Sequence, residues 1–172
     1  TGLVEVRFGR TIRDILRICG GPETGNRIIG VQIGGPSGAI LSLTGKYEWI
    51  LDLPLDFDNF INLGAIVGSG GLVFMGEDAD IVDLARHFSG WLHNESCGQC
   101  PGCFEGSRVL DRTLQDIVEG KANSQHIRTV RTASDLTKSG SRCGLGTTTP
   151  NTPFTSLYFF PVHYLNKVLA NK

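Results

Sequence analysis

The sequence predicts an α+β protein, because its first half and its second half carry different patterns. Short segments rich in β-branched residues alternate with glycine-rich turns up to about residue 77. Apolar residues at helical spacing dominate from residue 78 onward. The chain has 172 residues, 40% of them hydrophobic, which suffices for one ordinary domain or two small ones. We therefore expect a boundary between residues 77 and 78.

The first half begins with a predicted strand over Leu3–Phe8 and a predicted helix over Thr11–Cys19, which ends at Gly20. Cys19 falls on the apolar side of this helix together with Ile12. Free cysteine packs as a small hydrophobe, so we expect Cys19 to be buried.

Two glycine-rich segments, Gly34–Gly38 and Gly68–Gly71, adjoin further predicted strands at Arg27–Ile33, Ala39–Leu43 and Leu72–Met75. Neither segment shows the G-x-G-x-x-G fingerprint or a Walker lysine. We interpret both as tight turns between strands, and a loop that faces a small ligand or a partner remains the alternative.

The apolar pattern of the second half predicts four helices. The first runs from Asp78 to Leu92, with carboxylates in its opening turn that favour the helix dipole. The second follows Cys103 and ends near Gly120, and the third covers Ser124–Thr137. The fourth follows Pro153, and Pro161 is expected to break or kink it. The segment 139–146 is predicted to be a surface connection.

Four cysteines define the candidate site. Three of them lie in consecutive C-x-x-C steps and the fourth is distant: Cys97, Cys100, Cys103 and Cys143. Four thiolates are the ligand complement of a [4Fe–4S] cluster, and three in succession closed by a remote fourth follow the ferredoxin style. Structural zinc sites more often use two separated pairs, so zinc is the less favoured alternative.

The remaining candidates are weaker. Glycines around the cysteines, at 98, 102, 106, 144 and 146, either allow backbone N–H groups to approach sulfur or permit bends. His93 is expected to cap the carbonyls at a helix end, with an approach to the cluster as the alternative. No catalytic acid, base or nucleophile is predicted.

Charge and hydropathy narrow the classes of partner. The formal net charge is −1 and basic residues are dispersed, which argues against nucleic acid as a partner. No apolar run approaches the ~20 residues that cross a bilayer, and the first residues lack the core of a secretory signal. We expect a cytoplasmic protein, or one on the cytoplasmic face of a membrane complex, without direct membrane insertion.

The cysteine segments resemble the C-terminal part of the NADH-binding flavoprotein subunit of respiratory NADH:quinone oxidoreductase. The diaphorase subunits of NAD-reducing hydrogenases and formate dehydrogenases share that part. The likeness is carried by Glu95–Gly106, Ser141–Gly146 and Thr149–Asn151. Upstream segments resemble the soluble-ligand-binding β-grasp domain of that family, namely Gly34–Gly38, Asp52–Phe57 and Gly68–Gly71.

The resemblance implies a ubiquitin-like β-grasp domain over 1–77, followed by a four-helix bundle over 78–172 that holds one [4Fe–4S] cluster. Its ligands would be the four cysteines named above. The family motif has Thr-Pro between the second and third cysteines and Arg after the third, where this chain has Pro101-Gly102 and Phe104.

The family's FMN- and NADH-binding domain precedes the β-grasp domain, so FMN and NAD are expected only on a missing domain or on a partner. Thr1 would fit a short relative that starts after an initiator methionine; a fragment is the other interpretation. We expect an electron-relay subunit or fragment whose partners are other redox subunits carrying further iron–sulfur clusters. A scaffold with a structural metal, zinc or a redox-silent cluster, is the alternative.

Overall fold

A small antiparallel sheet and eight α-helices make up the part of the chain that the computed structural model describes, residues 1–22 and 26–170. The central strand pairs with both others, so that Val31 lies opposite Leu41 on one side and Phe74 on the other. The mixed α+β class is therefore confirmed. The strands are β1 (Ile28–Ile33), β2 (Ala39–Ser42) and β3 (Leu72–Gly76). Their order across the sheet is β2-β1-β3.

Two short helices and a 3-10 helix at Gly45–Asp52 accompany the sheet, and six helices follow it. The predicted helices near residues 12–18, 81–94 and 124–139 are confirmed. In chain order the α-helices are α1 (Ile12–Ile18), α2 (Phe57–Ile61), α3 (Ile81–Asn94), α4 (Pro101–Val118), α5 (Ser124–Ser139), α6 (Gly144–Thr148), α7 (Asn151–Phe159) and α8 (Pro161–Leu169).

The predicted strand at Leu3–Phe8 is wrong. This segment forms no regular structure, and its apolar side chains face outward, with Leu3 99% and Phe8 72% exposed. The contacts to the neighbouring segment lie at its end: the ring centroid of Phe8 is 5.7 Å from that of Phe57, the N–H of Gly9 donates to the carbonyl of Leu55 at 3.3 Å, and an isolated bridge joins Thr11 to Pro54. A strand needs a partner for its backbone groups, and β-branched composition alone does not supply one.

The predicted burial of Cys19 is also wrong. Ile12 and Ile15 of α1 are buried, but Cys19 is exposed because it is the C-cap residue, beyond the last helical turn. The apolar face of this short helix ends before it reaches the thiol.

The predicted break at Pro161 is confirmed. Phe160 leaves helical geometry with φ −127° and ψ 49°, which separates α7 from α8. The hydroxyls of Ser156 and Tyr164 hydrogen-bond at 2.6 Å across this break, and burial raises the pKa of Tyr164. The two helices are therefore fixed against each other.

One hydrophobic core runs through the described residues. Buried side chains of the sheet, such as Val31 and Leu41, belong to the same cluster as Leu110 and Leu114 of α4. Helix α7 lies between the two regions, where it packs against β2, α3 and α5. Within residues 1–22 and 26–170, no helix is both long and apolar enough to span a membrane.

Asp80 fixes the start of α3, the helix that leads to the first cysteine. Its carboxylate accepts hydrogen bonds from the backbone N–H groups of Val82 and Asp83, both at 3.1 Å, and pairs with Lys167 of α8 at 2.7 Å. Partial burial alone would raise the pKa of Asp80, but these hydrogen bonds and the lysine charge together lower it.

We expect Asp80→Ala to lower the free energy of unfolding by about 1 kcal/mol, because an N-cap is lost. Asp80→Asn keeps a good cap and should lose less. The pKa is depressed in the folded state, so the charge stabilises above the unfolded pKa of about 3.9, and this contribution disappears as pH falls through the folded pKa. Urea unfolding at several pH values should therefore show a flatter acid dependence for Asp80→Asn. Equal losses for both variants at pH 7 would contradict the capping role.

Candidate metal centre

The four cysteines occupy two helix starts and one connecting loop. Sequence reasoning placed the second helix after Cys103, and this is wrong: α4 begins at Pro101, so Cys103 lies in its first turn. Proline suits the first helical position because its fixed φ is helical and its missing N–H would be unpaired there. Cys97 lies exposed in the loop between α3 and α4, Cys100 is the half-buried N-cap of α4, Cys103 is buried, and Cys143 is the exposed N-cap of α6.

Cys103 is the point where three stretches of chain meet. The hydroxyl of Ser96 lies 3.4 Å from the Cys103 Sγ, which brings the residue before Cys97 against it. The same hydroxyl accepts a hydrogen bond from the N–H of Gly98 at 3.4 Å. The loop that carries the first cysteine is thereby folded back onto the third.

The segment of the fourth cysteine approaches Cys103 from the other side. Gly146, three residues after Cys143, is so close that a Cβ built on it would lie 3.2 Å from the Cβ of Cys103 and 2.6 Å from that of Ser141. Three residues are about one helical turn, so Cys143 starts the same turn whose glycine touches Cys103. The structure thus brings the first turns of α4 and α6 together.

Glycines on α4 make this approach possible. A Cβ on Gly102 would lie 2.6 Å from the carbonyl oxygen of Gly140, and one on Gly106 would lie 2.0 Å from Oγ1 of Thr137. Gly140 caps α5, so the end of α5 rests directly on the first two turns of α4. The chain then has only to turn once to reach Cys143.

This contact lies at a position where the sequence departs from the motif of the family it resembles. Position 102, where the family pattern has proline, is filled here by glycine, and the neighbouring backbone of Gly140 leaves no room for a side chain. The proline is found one residue earlier, at the first position of α4. Phe104, which replaces the motif's arginine, packs against His93 with the ring centroids 5.1 Å apart.

Two of the cysteines are the N-cap residues of helices, Cys100 of α4 and Cys143 of α6. Neither Cys100 nor Cys143 makes a side-chain capping hydrogen bond. The first N–H groups of a helix have no intrahelical acceptor and carry a partial positive charge. Such groups stabilise negative charge on neighbouring sulfur and tune an iron–sulfur cluster.

His93 is hydrogen-bonded through Nδ1 to the hydroxyl of Ser107 at 3.0 Å. That hydroxyl also donates to the carbonyl of Phe104 at 3.1 Å. The His93 side chain therefore joins α3 to α4 one turn beyond Cys103. It binds Ser107 instead of capping a helix-end carbonyl as predicted.

An apolar groove of about 450 Å³ borders the start of α4. Pro101 and Gly102 form one end of it, and Glu105 is its charged member. Its other lining residues come from α4 and α5: Gly106, Val109, Gln125, Thr129, Thr132, Ala133 and Leu136. The surface beside the thiols on this side is thus mainly hydrophobic.

The donor set fits an iron–sulfur cluster in kind. Thiolates are the ligands of such clusters, and the chain offers four cysteine thiols in segments that meet at the buried Cys103. Among residues 1–22 and 26–170, no three His, Cys, Asp or Glu side chains are gathered closely enough to hold a metal ion. The backbone segments therefore converge, but the thiols do not surround one point.

Several residues of this centre are not evident in the cysteine spacing. Ser96, Thr137 and Ser141 contact Cys103 or its supporting glycines, and Ser141 donates a hydrogen bond to the carbonyl of Thr137. A signal for these contacts was present in the sequence. Gly102 and Gly106 lie four residues apart on one face of a helix, which favours close packing against another helix.

Comparison with known proteins identifies the region. Residues 83–167 match the family described as NADH-ubiquinone oxidoreductase-F iron-sulfur binding region. This stretch belongs to that family. The resemblance inferred from the cysteine motif is confirmed.

Relatives of this iron–sulfur binding region extend the likeness over nearly the whole chain. The NADP-reducing hydrogenase subunit HndC of Solidesulfovibrio fructosivorans is 34% identical over 164 residues, which are 95% of this chain and 32% of that protein. One subunit of the NADH-quinone oxidoreductase of Mycobacterium tuberculosis is 29% identical over 97% of this chain and 36% of its own length. The chain therefore spans about a third of these relatives.

Solved structures agree. A crystal structure of an NAD⁺-reducing [NiFe]-hydrogenase in the H₂-reduced state matches with a TM-score of 0.75 and 27% identity. The match covers 95% of this chain and 26% of the hydrogenase chain. The fold is thus shared with one part of a much longer chain.

We expect Gly106→Ala to destabilise the protein, because the added Cβ meets the buried, β-branched Thr137, whose hydroxyl already donates to Ala133. Gly144→Ala is the matched control, since nothing lies within 4 Å of a Cβ there. Gly106 lies inside α4 and Gly144 is the first residue of α6, so alanine gains more helix propensity at position 106. Overpacking should nevertheless leave Gly106→Ala about 1–3 kcal/mol less stable than Gly144→Ala in urea unfolding. Equal stabilities would show that α4 and α5 are not in close contact.

Proposed function

We propose that this chain holds one [4Fe–4S] cluster on Cys97, Cys100, Cys103 and Cys143 and relays electrons within a larger redox complex. The observation that carries the proposal is the convergence of the starts of α4 and α6 on the buried Cys103. Membership of residues 83–167 in an iron–sulfur binding family supports an electron-transfer role.

The cysteines and the helix starts beside them would have different roles in holding a cluster. Cys103 is 5% exposed and would anchor the inner side, while Cys97 and Cys143 are exposed and would face a redox partner. The open N-termini of α4 and α6 would donate N–H groups to sulfur and favour its negative charge. When bound, a cluster of this kind accepts and releases one electron at a time.

The complex would be of the NADH dehydrogenase or hydrogenase type, since relatives are subunits with those names. We place FMN and NAD outside these residues, on another domain or a partner subunit, because the glycine-rich segments lack a dinucleotide fingerprint. Partners would be redox subunits with further iron–sulfur clusters. The location would be the cytoplasm or the cytoplasmic face of a membrane complex.

We infer further that residues 1–77 form a β-grasp domain and residues 78–172 a four-helix bundle, whose helices would be α3, α4, α5 and the pair α7–α8 divided at Pro161, with the short α6 as a connection. The three strands that the structure describes lie between residues 28 and 76, and α3 to α8 all begin after residue 80, which supports the division. The packing of α7 on β2 would join the two domains.

Anaerobic reconstitution with iron and sulfide tests the ligand set. The chain should bind about four iron and four sulfide atoms and give the EPR spectrum of a reduced cubane, because four thiolates ligate such a cluster. Cys103→Ser and Cys143→Ser should lose most of the iron and the signal. Cys19→Ser is the matched control and should retain both, since Cys19 lies at the end of α1, outside the converging segments.

Metal analysis of the natively purified protein distinguishes the electron relay from the scaffold with a structural metal. One zinc per chain without sulfide would replace the relay by the scaffold with a structural metal. Full iron loading in Cys143→Ser would show that the fourth ligand is assigned wrongly.

A further inference from the structure

The glycine-rich turn between β1 and β2 is bound by side chains at the start of α7. The hydroxyl of Thr152 lies 2.9 Å from the carbonyl oxygen of Pro36 and 3.0 Å from that of Gly38, and donates to this pair. The side-chain amide of Asn151 donates to the carbonyl of Ser37 at 3.2 Å. Three consecutive carbonyls of the turn are therefore held by two adjacent residues.

The next turn of α7 adds a contact to the strand itself. The N–H of Ile40 donates to the hydroxyl of Thr155 at 3.0 Å, and that hydroxyl donates to the carbonyl of Asn151 at 2.6 Å. Thr152 and Thr155 are both nearly inaccessible to solvent. The hydrogen bonds from Thr152 to Gly38 and from Ile40 to Thr155 are buried, where an unpaired carbonyl or N–H is costly.

The turn is a rigid anchor for α7. Gly34 has φ +89°, and its N–H donates to the carbonyl of Gly71 at 3.1 Å. A Cβ on Gly38 would lie 1.7 Å from the carbonyl oxygen of Ile33, so the backbone is tightly folded there. The turn's carbonyls point into the protein, which favours the structural interpretation of this segment over a ligand-facing loop.

Helix α7 continues almost directly from the helix that starts at Cys143. Thr149 and Pro150, which separate α6 from α7, both have right-handed helical dihedral angles. The N–H and the hydroxyl of Thr149 both donate to the carbonyl of Leu145 at 2.8 Å. The segment from Cys143 to α7 therefore behaves as one stiff unit.

We propose that Asn151 and Thr152 are positioning residues, which seat α7 on the β1–β2 turn and so hold Cys143 in register with Cys103. This proposal rests on the ligand set proposed above. Cys143 is exposed at the free end of the unit, and the turn contacts fix its far end, about 12 Å away along the helical rise. Partners that fix the orientation of ligands typically affect metal retention strongly.

The test compares cluster stability in the reconstituted full chain. Thr152→Val removes the hydroxyl without changing the shape, and Thr152→Ser restores it. We expect Thr152→Val to release iron to a chelator on the order of tenfold faster than the wild type and to alter the EPR line shape, with Thr152→Ser close to the wild type. Asn151→Ala, at a half-buried site, should show the same change to a smaller extent and decides the matter if Thr152→Val does not fold.

The matched control is Thr113→Val. Thr113 is buried on α4 and its hydroxyl donates to the carbonyl of Val109 at 2.6 Å, with no contact to the turn. Its variant should release iron at the wild-type rate. Amide hydrogen exchange in residues 144–148 should accelerate in Thr152→Val and stay unchanged in Thr113→Val, which gives a readout independent of the metal.

The outcomes separate the two proposals. A wild-type chain that takes up no iron and sulfide overturns the proposed function, and this inference with it. A wild-type chain that loads normally, with Thr152→Val and Asn151→Ala indistinguishable from it in iron release and EPR, overturns the positioning role alone. Equal acceleration in Thr113→Val also overturns it, because general destabilisation would then be the cause.

Discussion

Close contact between the first turns of α4 and the end of α5 is the constraint on which the candidate centre depends. Helix axes approach this closely only where side chains are absent, and Gly102, Gly106 and Gly140 have none. The contact decides where α5 ends relative to Cys103. It therefore also decides where the chain must turn to present Cys143.

The sheet has a part in this arrangement although it carries none of the four cysteines. Its β1–β2 turn accepts hydrogen bonds from α7, and α7 is the continuation of the helix that Cys143 begins. Two supports thus act on the fourth cysteine: α5 brings the chain to it, and α7 holds the chain after it. The three matches described above include both regions, since each covers at least 95% of this chain.

Much of the helical structure could be predicted from the sequence, because local residue patterns are enough to define it. Helices α3 and α5 follow from apolar periodicity, and the break at Pro161 follows from the ring that cannot continue a helix. The proposal that the four cysteines form one ligand set comes from their spacing. Each of these inferences uses residues that are neighbours in the chain or on one face of a helix.

The wrong predictions, and the contacts that were missed, concern features that the local residue pattern does not determine. The helical start at Pro101 was missed because Gly102 and Gly106 lower helix propensity, whereas tertiary packing against α5 requires them. Leu3–Phe8 has strand composition but finds no pairing partner in the structure, and Cys19 lies one residue past the end of α1. The role of Asn151 and Thr152 depends on contacts with residues 36–38, more than a hundred positions away.

The placement of Cys103 and Cys143 has a consequence for the unfolded chain. The two residues stand at the two ends of the α4–α5 hairpin, so any group bound to both would close that whole hairpin into a covalent ring. Ring closure removes conformational entropy from the unfolded ensemble, as a disulfide does, and the effect grows with the length of chain enclosed. Loss of such a group would then cost the protein a long-range cross-link, and proteolysis at the α4–α5 turn would report on whether the centre is filled.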